Sequence, residues 1–200
     1  IIDGTLPGGY CFPNENQLCS QLGIGRSSLR EAYAMLAQFG YIRRTKRGTY
    51  VNSLYEIISS APLSATTRSA TAREYKDFRI LIEGEIAFHA SNRATGEELA
   101  LLHTQLEQFD LDASLEELIQ ADMGFHLTIA QASHNILLCN TIIAVSGIWR
   151  QGVVDGFTRM KSNAPEQLSL VARQHEKIYS ALAAQQPEAA KAAMIAHLTA

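Results

Sequence analysis

The fold of the front of the chain is decided by the stretch PNENQLCSQLGIGRSSLREAYAMLAQFGYIRRTKRGTYV, residues 13–51. A proline in the first turn favours a short helix over residues 13–21. Residues 22–25, with two glycines, predict a turn. A second helix is indicated over residues 26–39, because apolar residues share one helical face there. These are Leu29, Ala32, Tyr33 and Leu36. A glycine then ends that helix. Residues 41–51 predict two short strands joined by a glycine-containing turn.

Basic side chains are concentrated on the second helix and on the strand pair. Arg26 and Arg30 lie four residues apart and so share a helix face, and two small serines lie between them. Helix, glycine turn and helix followed by a basic strand pair indicate a winged helix-turn-helix that binds double-stranded DNA. The expected DNA contacts are Arg26, Ser27, Ser28, Arg30, Arg43, Lys46, Arg47 and Gly48. The alternative is a small amphipathic helix pair with a solvated basic face, and the wing makes that alternative the weaker one.

Charge is distributed unevenly along the 200 residues. Residues 1–53 carry six basic and three acidic side chains, a net charge of +3, whereas the remainder carries a net charge of −6. This asymmetry predicts two domains with different partners. Three cysteines without metal-finger spacing, and no basic segment followed by an apolar core, favour free thiols and a cytoplasmic protein. The longest apolar stretch, residues 136–149, is too short and too polar to predict a membrane span.

The expected fold class is mainly α, with an N-terminal winged helix-turn-helix and an all-α antiparallel bundle of about six helices. We predict the winged-helix domain over residues 1–53, a linker over residues 54–71 with one helical turn, and the bundle over residues 72–200. Capping boxes and prolines in first turns set the helix starts, and short loops favour antiparallel neighbours. The expected helices span residues 72–92, 95–109, 114–132, 135–160, 165–184 and 187–200.

Polar residues interrupt the apolar faces of this bundle. Asp122 and His126 are one helical turn apart, a spacing that can chelate a single ion. A lone histidine in a helix is more often a packing residue, and we assign packing or surface roles to His89, His103 and His134. Arg79 has Glu83 four residues on, so it either pairs with that carboxylate or clamps the carboxylate of a ligand. Asn135 is a helix cap first.

The front of the chain resembles the winged-helix domain of GntR-family bacterial transcription regulators. The matching residues are Pro7, Gly8, Pro13, Glu15, Leu18, Arg26, Arg30, Glu31, Ala32, Gly40, Gly48 and Val51. Gly25 stands where the family usually has serine or threonine, and Asn16 stands where many members carry an arginine that touches DNA. The family's first helix is largely absent here and an N-terminal piece is expected to be missing, so the resemblance implies weakened DNA binding by this chain.

The bundle resembles the effector-binding FCD domain of the FadR subfamily, through YKDFRILIEGEIAFHASNRATGEELALL (residues 75–102) and ADMGFHLTIAQASHN (residues 121–135). The resemblance implies a divalent metal held by Asp122, His126, His175 and His197. It also implies an effector bound by Arg79, Glu83 and Asn135. Three imidazoles and one carboxylate suit Zn, Ni, Mn or Fe better than Ca or Mg. Coordination positions left open by the protein would admit a small organic acid.

Three functions remain open at this point. The first is a homodimeric DNA-binding regulator, a repressor in our interpretation, whose operator affinity is controlled by a small organic acid at the metal. The second is a metal-sensing regulator, or a structural metal site, with no organic effector. The third is a metal-dependent hydrolase, for which we find no general base or nucleophile motif and which leaves the basic winged domain unexplained. We therefore expect no enzymatic activity.

Overall fold

The computed structural model of the chain describes residues 1, 4–60, 62–63, 67 and 70–200, apart from the side chains at positions 148, 149 and 151. The chain divides into two compact units, Ile1–Arg68 and Ser69–Ala200. Part of the predicted linker, at positions 61, 64–66, 68 and 69, lies outside the described residues.

The first unit is a helix pair followed by a two-stranded sheet and a short helix. Its elements are α1 (Glu15–Leu22), α2 (Arg26–Gln38), β1 (Ile42–Thr45), β2 (Gly48–Val51) and α3 (Leu54–Ser60). The strands are antiparallel, with Ile42 opposite Val51 and Thr45 opposite Gly48. Leu29, Tyr33 and Ile42 form the buried centre of its core. This arrangement confirms the predicted winged helix-turn-helix.

Helix α1 begins two residues later than the proline suggested. Asn14 is the cap, because its side-chain oxygen accepts a hydrogen bond of 3.0 Å from the Gln17 backbone amide. Gly23, at φ 66°, ends the helix in the left-handed conformation that glycine adopts without strain. The predicted glycine turn between the two helices is confirmed.

Helix α3 is longer than the single turn expected at the start of the linker. It spans seven residues, and Ile57 is buried. The Glu56 carboxylate accepts hydrogen bonds from the backbone and hydroxyl of Ser53, each at 2.7 Å. Ser53 and Glu56 thus form a capping box, a signal in the sequence that our linker prediction passed over. The single helical turn that we expected in this part of the linker is therefore a helix of seven residues.

The second unit consists of helices packed as a bundle. Its helices are α4 (Ala72–Arg93), α5 (Gly96–Glu107), α6 (Leu115–Ala132), α7 (Ile136–Asn163), α8 (Pro165–Ala183) and α9 (Pro187–Thr199). Capping boxes at Thr71, Thr95 and Ser114 start the first three, and the last two begin with a proline. The predicted helical bundle is confirmed, with each boundary within three residues of its expected place. Among the described residues no single helix is long and apolar enough to cross a membrane.

Two apolar clusters hold the bundle together. One includes Phe125, Ile129 and Ile178, and the other includes Leu118 and Phe157. Helix α6 contributes to both, so it lies in the middle of the bundle. Helices α4 and α9 approach closely at Gly84, where an added Cβ would lie 3.2 Å from Ile195.

Candidate metal centre and nucleic-acid interface

Three helices of the bundle bring four donor side chains together. Asp122 and His126 lie one turn apart on α6, His175 lies on α8, and His197 lies on α9. One donor atom from each of them lies within 4.8 Å of every other. Asp122, His126 and His175 are almost fully buried, at 4%, 3% and 1% exposure. The structure therefore places the four predicted ligands in one buried cluster.

The separations between the donors suit a single ion. His126 Nε2 lies 3.9 Å from Asp122 Oδ1, and His175 Nε2 lies 3.4 Å from the same oxygen. His126 Nε2 and His197 Nε2 are 3.2 Å apart. Nitrogen and oxygen ligands of a transition metal lie about 2.0–2.2 Å from it, so neighbouring ligands are roughly 3–4 Å from each other. The cluster needs little rearrangement to hold a metal.

Hydrogen bonds on the far side of two rings fix which nitrogen faces the cluster. His126 Nδ1 donates to Glu83 Oε2 at 2.5 Å, and His197 Nδ1 donates to Gln174 Oε1 at 3.1 Å. In the neutral form that binds a metal, each of these rings would have its lone pair on Nε2, and the two Nε2 atoms lie 3.2 Å apart. Two such lone pairs repel unless a cation lies between them. Metal-bound histidines commonly have such a partner on the second nitrogen.

His175 also contributes a ring nitrogen to the cluster. Its Nε2 is buried and has no partner with hydrogen-bond geometry among the described residues. Its ring stacks on Phe125 with centroids 4.4 Å apart, which fixes its orientation. A buried polar atom without a partner is costly, and a metal ion would satisfy it. The donor set and its geometry therefore fit a divalent transition metal.

Electrostatics keep the donors in the protonation states that a metal requires. Burial lowers the pKa of His175 and, more strongly, that of His197, so both imidazoles favour the neutral form. Burial raises the pKa of Asp122, but interactions with His175 and His126 outweigh it, and the pKa lies below its usual range. His175 and His197 thus favour the neutral imidazole beside an ionised Asp122, as metal ligation demands.

Glu83 joins this cluster to Arg79. Burial raises the pKa of Glu83, but His126 and Arg79 outweigh it and lower the pKa to about 2. Arg79 forms a two-point ion pair with Glu83, through Nε to Oε1 and through Nη2 to Oε2. Both side chains are largely buried, at 13% and 3% exposure. Glu83 therefore holds both the guanidinium and the His126 ring, and the predicted pairing partner of Arg79 is in place.

The other polar residues singled out in the sequence lie elsewhere. Asn135 caps α7, since its side-chain oxygen accepts from the Leu137 and Leu138 amides. It lies nine residues after His126 in the sequence, in the connection between α6 and α7. Among the described residues no hydrogen bond joins its side chain to the cluster, so its role in effector binding stays a prediction. His134 pairs with Glu98 at the surface, 3.0 Å away. His103 lies 3.6 Å from Glu107, also at the surface.

The predicted DNA-binding residues form an exposed basic surface on the first unit. Arg26, Ser27 and Ser28 are exposed on the first turn of α2. Gly25 provides no side-chain hydrogen bond to this helix end, so its first-turn amides can face a phosphate. Lys46 and Arg47 form the turn between the strands. Within the described part of the chain, the side chains of Arg26, Lys46 and Arg47 form no hydrogen bond or ion pair.

Arg30 and Arg44, on the same unit, both donate hydrogen bonds to one carboxylate. Glu15 accepts from Arg30 at 2.9 Å and from Arg44 at 2.7 Å. The hydrogen bond from Arg30 lowers the pKa of Glu15, so the carboxylate stays ionised. Arg43 contacts the Tyr50 ring and donates to Asn52. Arg30 and Arg43, expected to bind DNA, are thus held in place by protein partners that the sequence reasoning missed.

The backbone conformation at the end of the wing turn requires a glycine at position 48. Its φ is 147°, and an added Cβ would lie 3.3 Å from Cys11 Sγ. Any other residue would be strained and crowded here. The glycine thus allows the turn that presents Lys46 and Arg47.

The sequence reasoning missed two residues beside the predicted site, Gln174 and Tyr75. Gln174, which accepts a hydrogen bond from His197, directly precedes His175 but carries no spacing signal of its own. Tyr75 lies four residues before Arg79 on the same face of α4, and its hydroxyl is buried without a hydrogen-bond partner among the described residues. The i, i+4 relation to Arg79 was a usable signal.

Comparison with known proteins gives matches over both units. Residues 74–200 match the FCD domain, and residues 1–51 match the family described as bacterial regulatory proteins, gntR family. The chain is 32% identical over 207 residues to the Glc operon transcriptional activator of Escherichia coli (strain K12), covering 99% of this chain and 81% of that protein. It is 26% identical over 203 residues to the galactonate operon transcriptional repressor of the same organism, covering 98% and 87%.

A solved structure agrees with these matches. The Streptococcus agalactiae GntR structure is similar over 100% of this chain and 91% of its own, with 26% identity and a TM-score of 0.53. These relatives are transcription regulators and not enzymes, which confirms the expectation of no enzymatic activity. The chain belongs to the GntR family of bacterial regulatory proteins, with a winged helix-turn-helix followed by an FCD domain, and is a DNA-binding transcription regulator.

Proposed function

We propose that this regulator binds a divalent transition metal in its helical bundle and, at that metal, a small organic acid that changes its affinity for operator DNA. The observation that carries the proposal is the buried cluster of Asp122, His126, His175 and His197, in which two Nε2 atoms lie 3.2 Å apart and the Nε2 of His175 has no hydrogen-bond partner among the described residues. Zn, Ni, Mn and Fe are the metals that such a donor set suits.

The charges of the site favour an acid with a single carboxylate. Arg79 carries one positive charge, and Glu83 and Asp122 each carry one negative charge. With the imidazoles in the neutral form that binds a metal, these protein charges sum to −1. A divalent ion changes this to +1, which one carboxylate neutralises. A dicarboxylate would leave a negative charge in a buried site, which is costly.

Arg79 is the cation that we expect to attract the acid. It is linked to the cluster through Glu83, whose carboxylate accepts from both Arg79 and His126. The metal would supply a Lewis-acidic contact to the carboxylate, and Glu83 would hold His126 and Arg79 in place for it. The name of one relative, the galactonate operon repressor, refers to a hydroxylated monocarboxylic acid, which is compatible with this class.

The DNA-binding part of the proposal rests on the basic surface of the first unit. A homodimer in the cytoplasm would place two α2 helices on a pseudo-palindromic operator. The acid would shift the balance between binding-competent and binding-incompetent states, by an amount set by its different affinity for the two. We propose repression as the sign of regulation, although the relatives include both an activator and a repressor.

The test uses DNA selected from a random library by the metal-loaded protein. Fluorescence anisotropy of that DNA is measured with small monocarboxylates, with and without prior chelation of the metal. The proposal expects an acid-dependent change in DNA affinity that chelation abolishes. The repressor assignment is checked separately, by placing the selected site in a promoter that drives a reporter.

A metal sensor without an organic effector is the second candidate. The same cluster supports it, since four protein ligands can complete a structural site. Under that function, metal alone changes DNA affinity and raises the melting temperature, and no acid adds to the effect. The anisotropy experiment therefore distinguishes the two.

A further inference from the structure

Tyr75 carries a buried hydroxyl that has no assigned role in the site described above. It lies on α4, four residues before Arg79, and its ring packs against both apolar clusters of the bundle. Its oxygen is shielded from solvent and has no hydrogen-bond partner among the residues that the structure describes. A buried hydroxyl without a partner is unfavourable and rare in folded proteins, so it calls for an explanation.

The position of this hydroxyl links it to the metal cluster. It interacts electrostatically with both Arg79 and Glu83, the pair that holds His126. Burial raises the pKa of Tyr75 further above its ordinary value, so the phenol is neutral and can both donate and accept a hydrogen bond. The residues around it supply a cation and a carboxylate already paired with each other. The Tyr75 phenol is therefore a neutral hydrogen-bonding group beside a charged pair.

We propose that Tyr75 is a specificity-determining residue for the acid, which it reads by a hydrogen bond to an oxygen on the carbon next to the carboxylate. The ligand class is thus a 2-hydroxy monocarboxylate. This inference rests on the proposed function, because it requires an acid to bind at the metal cluster. The metal and Arg79 match the charged carboxylate, whereas the neutral phenol matches the neutral oxygen beside it.

This arrangement favours a hydroxylated acid over its unsubstituted analogue. A site that offers a buried hydrogen-bonding group rejects a ligand without the matching oxygen, because the protein group is then left without a partner. The Tyr75 hydroxyl has no hydrogen-bond partner among the described residues, and the hydroxyl of the acid would supply one. The ring, packed on both sides, is already oriented for this contact.

The experiment compares L-lactate with propanoate, two monocarboxylates that differ by one hydroxyl. Their affinities for the full, Zn-loaded chain are measured by isothermal titration calorimetry, for wild type and for Tyr75→Phe. We expect Tyr75→Phe to weaken L-lactate binding by roughly tenfold, the usual size for loss of one buried hydrogen bond, with little change for propanoate. Tyr179→Phe is the matched control, since that ring is partly buried in the same unit and contacts His103, which is outside the cluster.

Each outcome decides between the two proposals. If acids bind the wild type but Tyr75→Phe changes both affinities equally or neither, the role of Tyr75 is refuted and the acid site stands. If neither acid binds the Zn-loaded wild type, both fail. Within the described structure the Tyr75 hydroxyl forms no hydrogen bond that Tyr75→Phe would remove. Without an acid, the melting temperature of this variant should therefore equal or exceed that of the wild type, and a lower value contradicts the proposal. The wild type gives an independent check. If it binds L-lactate and propanoate with equal affinity, the proposed recognition of the acid's hydroxyl by Tyr75 is refuted without any variant.

Discussion

The metal cluster in the bundle and the basic surface of the winged unit are built in opposite ways. In the bundle, charged and polar groups are buried, and two of the three rings have a partner on the far side, Glu83 for His126 and Gln174 for His197. On the winged unit the basic side chains are exposed, and Lys46 and Arg47 in the wing turn have no side-chain partner in the described structure. A site for a small ligand is preorganised, whereas a site for a polyanion can rely on charge and adapt on contact.

The contrast predicts that loss of one cluster ligand is the most damaging change. His175→Ala removes a fully buried donor, and we expect metal affinity to fall by more than about 100-fold, beyond the effect usual for outer-sphere partners. The measurement is competition with a chromophoric chelator. His103→Ala removes an exposed imidazole of the same unit and serves as the control. Equal metal affinity in the two variants would place the metal elsewhere.

The next effect comes from the residue that holds a ligand without binding the metal itself. Glu83→Gln keeps the shape of the side chain but weakens its hold on His126 and Arg79, and we expect a loss of about 10–100-fold in metal affinity. Glu85→Gln is the matched control, because Glu85 forms its ion pair with Lys191, at 40% and 35% side-chain exposure and away from the four donors. An unchanged affinity in Glu83→Gln would show that the far-side hydrogen bond does not orient His126.

On the winged unit, loss of a single helix arginine should have a smaller effect. Arg26→Ala is expected to weaken binding to the selected DNA by about tenfold, since a base or phosphate contact of this kind is worth about 1–3 kcal/mol. Anisotropy at fixed salt gives the value. Arg73→Ala, an exposed arginine outside the winged unit, is the control. If both variants bind DNA like the wild type, α2 is not the recognition helix.

The smallest effect is expected at the wing. Lys46→Ala should reduce the slope of log affinity against log salt by about 1, because one phosphate contact is lost, and it should do so for selected and random DNA alike. A slope that is unchanged for both DNAs would remove Lys46 from the interface. A change confined to the selected DNA would instead give it a role in sequence recognition.

The same contrast explains how far the sequence could be interpreted. Helix periods, capping boxes and prolines located the bundle helices within three residues, because those signals are local. The spacing of Asp122 and His126 gave half of the cluster, but His175 and His197 come from other helices, and only the family resemblance joined them. Ser53 and Glu56 show a local signal that was present and overlooked. The roles of Glu15 and Gln174 depend on contacts between distant segments, which no spacing reveals.

The most direct test of the account is calorimetric titration of a 2-hydroxy monocarboxylate into the protein before and after removal of its metal. The account predicts measurable, one-site binding to the Zn-loaded chain, no binding after chelation, and recovery when Zn is restored. Binding that survives chelation unchanged, or that persists in His175→Ala, would contradict the claim that the buried His and Asp cluster is the acid site.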